Sequence, residues 1–234
     1  GFSSIYSNVY HLNMPTKILE VGDLESIKIT DNKGKHKNRH FKTADLDLCG
    51  DLLSGRQVLL FNEDISISKL HLSDSMDYLY RNSHYDELLY IQSGKGKVFS
   101  NFGNFNIEMG DYIIFPRGVI WKIEFQNNIN ALLIESKGSI RTPRKYRNTF
   151  GQLMEHSPFC ERDIITPTLS PPISKEEVKL KVRLNSGIQS YLLKHHPFDL
   201  VGWDGYYYPW KFNINDFEPI TGSIHQPPPV HQTF

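Results

Sequence analysis

Apolar and polar positions alternate along most of this chain with the period-2 rhythm of half-buried strands, and no window carries the i, i+3, i+4 stripe of a helix. The clearest run lies between Asn82 and Phe125. There, residues 87–92, 112–115 and 119–125 are rich in β-branched, leucine and aromatic side chains. Gly94-Lys95-Gly96, Gly103-Asn104, Met109-Gly110-Asp111 and Pro116-Arg117-Gly118 break them apart, which is the punctuation of hairpin turns. Similar short strands are predicted at 5–11, 17–21, 26–30, 58–61, 65–70, 131–135, 178–184 and 188–193. The regular spacing predicts an all-β barrel or sandwich. Residues 138–172 break the rhythm: a basic stretch is followed by a segment with three prolines, which predicts an extended arm. From 197 to 210 aromatic residues crowd among turn formers, a composition that predicts packing.

Composition narrows the function. The 234 residues carry a formal net charge of 0, which argues against nucleic acid or an anionic membrane as partner. The basic run at 33–40 lacks interleaved aromatics and predicts a solvated loop. Cys49 and Cys160 lie far apart with no Cys-x-x-Cys, so neither a disulfide framework nor a structural zinc is expected. No stretch reaches the roughly 18 apolar residues of a spanning helix, and no signal peptide is visible. The expectation is a soluble, cytoplasmic protein.

The spacing around the central run is more specific. Glu87 precedes Gly94 by seven positions, and Gly110 is followed by Pro116 and Gly118. These framework positions resemble the two motifs of a cupin barrel, a double-stranded β-helix. In a metal-binding cupin the first motif carries His-x-His just before the glutamate, and the second carries a histidine three residues after the Pro-x-Gly glycine. Here the first window reads Arg81-Asn82-Ser83-His84 and the last position is Trp121. Glu87 is what remains of the ligand set, and one carboxylate cannot hold a catalytic iron. The barrel is therefore read as metal-free, with His84 a loop histidine.

Longer runs carry a family. GFSSIYSNVYHLNMPTKILEV, GDYIIFPRGVIWKIEF, EHSPFCERDIITPTL and HPFDLVGWDGYYYPWKFNINDFEPITGSIHQPPPVHQTF, in that order, resemble homogentisate 1,2-dioxygenase in its bacterial form. The resemblance implies a bicupin: a metal-free N-terminal barrel over 1–137, a linking arm over 138–173, and over 174–234 connecting strands and the start of a C-terminal cupin. It implies a non-haem Fe(II), extradiol-type dioxygenase that opens homogentisate with O₂ to give maleylacetoacetate in tyrosine and phenylalanine catabolism. The iron ligands, a His, a nearby Glu and a distant His, are expected beyond Phe234, so no metal is expected in this chain alone, and the chain alone is expected to be inactive. His225 or His231 is the candidate base for the substrate's phenolic proton. Trimers pairing into hexamers are implied as the assembly. Lesser candidates are the His195-His196 pair, read as a strand end, and His156 with Cys160 and Glu161, read as part of the arm. A competing reading is a metal-free cupin acting as a structural or small-molecule-binding module. A cupin isomerase or sugar-processing enzyme ranks last, because only Glu87 offers it an interior acid or base.

Overall fold

Strands form where alternation is strongest, and the chain turns where glycine allows it. A computed structural model describes residues 5–27, 29–31, 34–35, 37–173, 176–218 and 234. The first strands are β1 (Ser7–His11), β2 (Ile18–Ser26), β3 (Arg56–Phe61) and β4 (Ile65–Leu72). Then come β5 (Leu79–Asn82), β6 (Asp86–Ser93), β7 (Lys95–Ser100), β8 (Gly103–Glu108), β9 (Asp111–Phe115), β10 (Ile120–Phe125) and β11 (Ile129–Ser136). The arm contributes β12 (Ile164–Ile165), and β13 (Val178–Arg183), β14 (Gly187–Leu193), β15 (Leu200–Gly205) and β16 (Trp210–Asn213) follow. Among the described residues helical structure is limited to three-residue 3₁₀ turns.

The strands pair in two seven-stranded sheets, β2-β14-β13-β5-β10-β7-β8 and β12-β16-β9-β6-β11-β4-β3, with a separate β1-β15 ribbon. From β4 to β11 the antiparallel pairs are nested: β4 with β11, β5 with β10, β6 with β9, β7 with β8. Nested pairing of this kind is a jelly roll, the eight-stranded wrap of a cupin. Its interior is one apolar cluster fed by both sheets, including Leu70, Leu89, Ile91, Val98, Ile113, Trp121, Ile123 and Leu133. Fully burying each such side chain is worth about 1.5–3 kcal/mol. This layer supplies most of the force holding the two sheets together.

The glycines set the corners. β6 and β7 are joined by Gly94 alone, at φ +94°, and a β-carbon there would sit 2.5 Å from the Asn128 carbonyl oxygen. The expected break at 94–96 is thus one residue wide, and Lys95 and Gly96 already belong to β7. Asp111, fully buried, fixes the corner between β8 and β9: it accepts from the Glu108 amide at 2.9 Å, Lys211 Nζ at 2.8 Å and Asn213 Nδ2 at 2.9 Å. The last two donors tie β16 to this turn. Asp86 plays the same part for the Pro116-Arg117-Gly118 turn, accepting from the Arg117 amide and Nε and from the Ile140 amide.

The later strands lengthen the sheets of this jelly roll. β13 runs parallel to β5, β14 adds to β13, and β2 adds to β14 as an edge strand with two register shifts. The strand expected at 17–21 runs on to Ser26 as one strand, Ile18–Ser26, while the strand expected at 26–30 does not form among the described residues after Ser26. The arm is extended and carries a small cluster of its own, in which Tyr146 and Phe159 bury against Phe212 of β16. The aromatic segment after Pro197 includes a strand, β15, that pairs with β1 from the far end of the sequence.

Candidate functional site

One end of the jelly roll gathers a buried polar cluster from both sheets. Asn82 ends β5, Glu87 is the second residue of β6, Glu135 lies near the end of β11, Arg56 opens β3 and Arg183 closes β13. Cross-strand pairing sets Glu87 directly opposite Glu135 and Arg183 beside Asn82. Two carboxylates facing each other across strands repel. The cluster resolves this by giving them different partners.

Glu135 takes the cations. Its Oε2 receives Arg56 Nη2 and, at 2.8 Å, Ser66 Oγ. Arg183 Nε stands 3.5 Å from Oε1. Burial would raise the Glu135 pKa, but the two guanidinium groups and the Ser66 hydroxyl outweigh it and hold the carboxyl below its usual range. Glu87, fully buried, takes neutral donors: Tyr80 Oη at 2.9 Å and Asn82 Nδ2 at 3.1 Å, both to Oε1. Burial and the neighbouring Glu135 charge push its pKa up to about 7, against the lowering pull of Asn82, Arg56 and Tyr80. The same Asn82 amide nitrogen donates to Glu135 Oε1 at 3.0 Å, so one side chain bridges the acids. Its carbonyl oxygen accepts from the amides of His84 and Tyr85, which shapes the turn into β6. Burial, with Glu87 beside it, moves the Tyr80 phenol well above its usual value.

The positions that would carry metal ligands in a metal-binding cupin are otherwise engaged. Trp121, fully buried, stacks on Phe115 at 4.1 Å and 7° and meets Tyr80 edge-on at 5.3 Å. His84 lies in the turn after β5 with its ring against Tyr85. Among the described residues no three His, Cys, Asp or Glu side chains are grouped to hold a metal ion. One carboxylate, its Oε1 held by a phenol and an amide and its buried Oε2 unpartnered, beside a stacked indole, offers a single protein ligand, and that donor set does not fit iron. The Trp121 ring is a packing element: Trp121→Ala should cost about 3–5 kcal/mol, read as a lowered urea midpoint. A loss below about 1 kcal/mol would contradict that role.

The remaining candidates are dispersed. His225 and His231 lie outside the described residues. His196 follows β14, is buried, and accepts the Phe198 amide on Nδ1 at 3.1 Å. Burial, aided by Lys122, lowers its pKa, so it is a neutral packing histidine. Cys160 and Asp163 close a 3₁₀ turn on each other, with the Asp163 carboxylate accepting the Cys160 amide at 2.7 Å. His156 Nε2 approaches the Lys145 carbonyl at 3.4 Å, and Glu161 accepts the Leu153 amide. These residues act in the arm's turns. Sequence reasoning missed a further pair: His11 Nδ1 lies 2.6 Å from Asp199 Oδ1, which fastens β1 to the start of β15. Burial would raise the Asp199 pKa, but hydrogen bonds from His11 and from the amide and side chain of Asn13 keep it low.

A sequence model for the N-terminal region of homogentisate 1,2-dioxygenase matches residues 42–214. The chain belongs to the homogentisate 1,2-dioxygenase family. A protein of Saccharolobus solfataricus, named only provisionally as a dioxygenase, is 39% identical over 237 residues, taking in 100% of this chain and 61% of that relative. The homogentisate 1,2-dioxygenase of Bradyrhizobium diazoefficiens is 26% identical over 159 residues, 66% of this chain and 34% of that enzyme. The chain thus spans about three fifths of the first relative, and its match to the second covers about a third of that enzyme. Among solved structures, a cupin protein of Bacteroides fragilis is similar at 19% identity and a TM-score of 0.37, covering 47% of this chain and 92% of that one. A cupin-2 domain protein of Shewanella frigidimarina is similar at 16% identity and a TM-score of 0.32, covering 35% and 78%. No helix among the described residues is long and apolar enough to cross a membrane.

Proposed function

We propose that this chain is the N-terminal part of an Fe(II)-dependent, extradiol-type dioxygenase that uses O₂ to open the ring of homogentisate, giving maleylacetoacetate. The observation that carries this reading is the family match over 42–214, and the 39% identical relative provisionally named a dioxygenase supports it. The jelly roll described above is the scaffold half, with residues 1–137 as its domain. Residues 138–173 act as the linking arm, and 174–234 lead toward the barrel that holds the iron. Because the donors around Glu87 do not suit iron, no step of the reaction is placed there. His225 or His231 is the base that takes the phenolic proton, a role that calls for a near-neutral pKa within hydrogen-bond reach. The enzyme is read as a cytoplasmic homo-oligomer, a trimer or hexamer.

The test is an oxygen-electrode assay on the full-length protein loaded with Fe(II). Homogentisate should drive O₂ uptake mole for mole. His225→Ala or His231→Ala should lower kcat about 10²–10⁴-fold. No uptake by the iron-loaded protein overturns the reading, and unchanged turnover in both variants removes the assignment of the base.

A further inference from the structure

The polar cluster is the floor of a cavity of about 650 Å³ at the same end of the jelly roll, within the size range of small-molecule sites. Arg56, Arg183 and Glu135 line it, with Leu53, Val58 and Ile188 among its apolar walls and Lys181, Glu25 and Asp51 also on the lining. The floor is deeply buried: the side chains of Arg56, Arg183 and Glu135 are 9%, 8% and 4% exposed. Among the described residues on that floor, two guanidinium groups face one carboxylate.

The donors are not all used. Arg56 is spent on Glu135 and, through Nε, on Ser68 Oγ at 3.2 Å. Arg183 gives Nη1 to the Leu184 carbonyl, but its Nε is buried and makes no hydrogen bond, its nearest acid being Glu135 at 3.5 Å. A buried cationic donor left unspent is costly and is a feature that calls for an acceptor. The other acids on the lining do not supply it. Asp51 Oδ1 is occupied by the Leu53 and Ser54 amides and the Ser54 hydroxyl, and Glu25 is exposed on β2. Lys181 is turned to the Tyr78 ring, its Nζ 4.5 Å from the centroid. Glu87, one Asn82 side chain behind the floor, is close to half protonated at neutral pH and so offsets only part of the second positive charge.

We propose that this cavity binds a small organic carboxylate, its head group accepting from Arg183 and facing Arg56, its apolar body lying against Leu53, Val58 and Ile188. A guanidinium group matches a carboxylate in shape as well as charge. The lining, half polar and half apolar in character, suits a ligand with one charged end and one greasy end. The site is separate from the dioxygenase chemistry proposed above and stands on different residues.

Isothermal titration of the full-length protein with sodium benzoate tests it, with benzyl alcohol as the neutral analogue and inorganic phosphate as the compact anion. Benzoate should bind a site that removal of the iron leaves in place, and both benzyl alcohol and phosphate should bind there at least about tenfold more weakly. Arg183→Gln should weaken benzoate at least about tenfold. Should that variant fail to fold, Val58→Trp decides, because it fills the cavity from edge strand β3 and leaves the charges in place; it should weaken benzoate to the same degree. Benzoate affinity in Val58→Trp within about threefold of wild type would overturn the proposal, as would phosphate or benzyl alcohol binding as tightly as benzoate, or no benzoate binding up to about 10 mM. Oxygen uptake with homogentisate by the wild-type protein tests the dioxygenase reading separately.

Discussion

Replacing Glu135 by leucine should destabilise the protein by about 3–5 kcal/mol, the cost of leaving buried charge without its counter-ion. Arg56 loses the acceptor of its Nη2 donor, Arg183 loses its nearest acid, and Asn82 Nδ2 loses one of its two acceptors. An exposed pair broken in the same way changes stability by less than about 1 kcal/mol, so burial decides the size of the effect. The lysine–glutamate pair at Lys122 and Glu124 is such a control, with side chains 27% and 57% exposed. Removing both arginines together with the acid, in Arg56→Met/Glu135→Leu/Arg183→Met, should recover most of the loss, because apolar groups of similar volume need no counter-ion. Urea unfolding at neutral pH gives all three values. A Glu135→Leu loss no larger than that of Glu124→Ala, or a triple variant weaker than the single one, would show that the network does not carry this stability.

Part of this cluster was legible in the sequence. In β11 the buried positions are Ile129, Ala131, Leu133 and Glu135, so the acid falls in phase with the apolar face. A carboxylate at an inward position of an alternating strand signals a buried partner. Glu87 was found because its distance to Gly94 is a motif. Its partners were not, because their proximity is topological. Arg183 meets Asn82 only through the parallel pairing of β13 with β5, and Arg56 reaches Glu135 only across β4. No local periodicity encodes a contact between strands a hundred residues apart.

The strands follow the same logic. Those with a clean apolar face were readable, whereas β7, β8 and β15 are rich in glycine, lysine or asparagine, the residues that also mark turns. β15 is a strand because β1 pairs with it, through Ser7 to Gly205 and Asn8 to Asp204. Tertiary pairing there overrides a turn-like composition, as β propensity, which depends strongly on context, permits. The nested order of the eight central strands could be expected only through the motif spacing, since alternation alone does not separate a jelly roll from other sandwiches.

Between pH 5 and 8 the wild type should lose about 2.5 kcal/mol of stability relative to Glu87→Gln. Glu87 carries its proton up to about pH 7 in the folded protein, against 4.5 for a free glutamate. Between those values the folded state holds a proton that the unfolded chain releases. The contribution is therefore complete below about pH 4.5 and is lost as pH rises through 7. Glutamine resembles the protonated acid, so it can accept from Tyr80 and Asn82 on its oxygen without titrating. The groups with lowered values act on the other limb: Glu135, Asp199 and Asp51 contribute stability that is lost as pH falls through their folded values. His196, lowered by burial, also favours higher pH, but it is present in both proteins and cancels in their difference. Denaturant midpoints at pH 5 and pH 8 should thus diverge between the two proteins at the alkaline end, with the variant the more stable there. Parallel curves would mean that Glu87 is ionised throughout. The facing acids would then be held apart by Asn82 and the arginines alone, not by a proton kept on one of them.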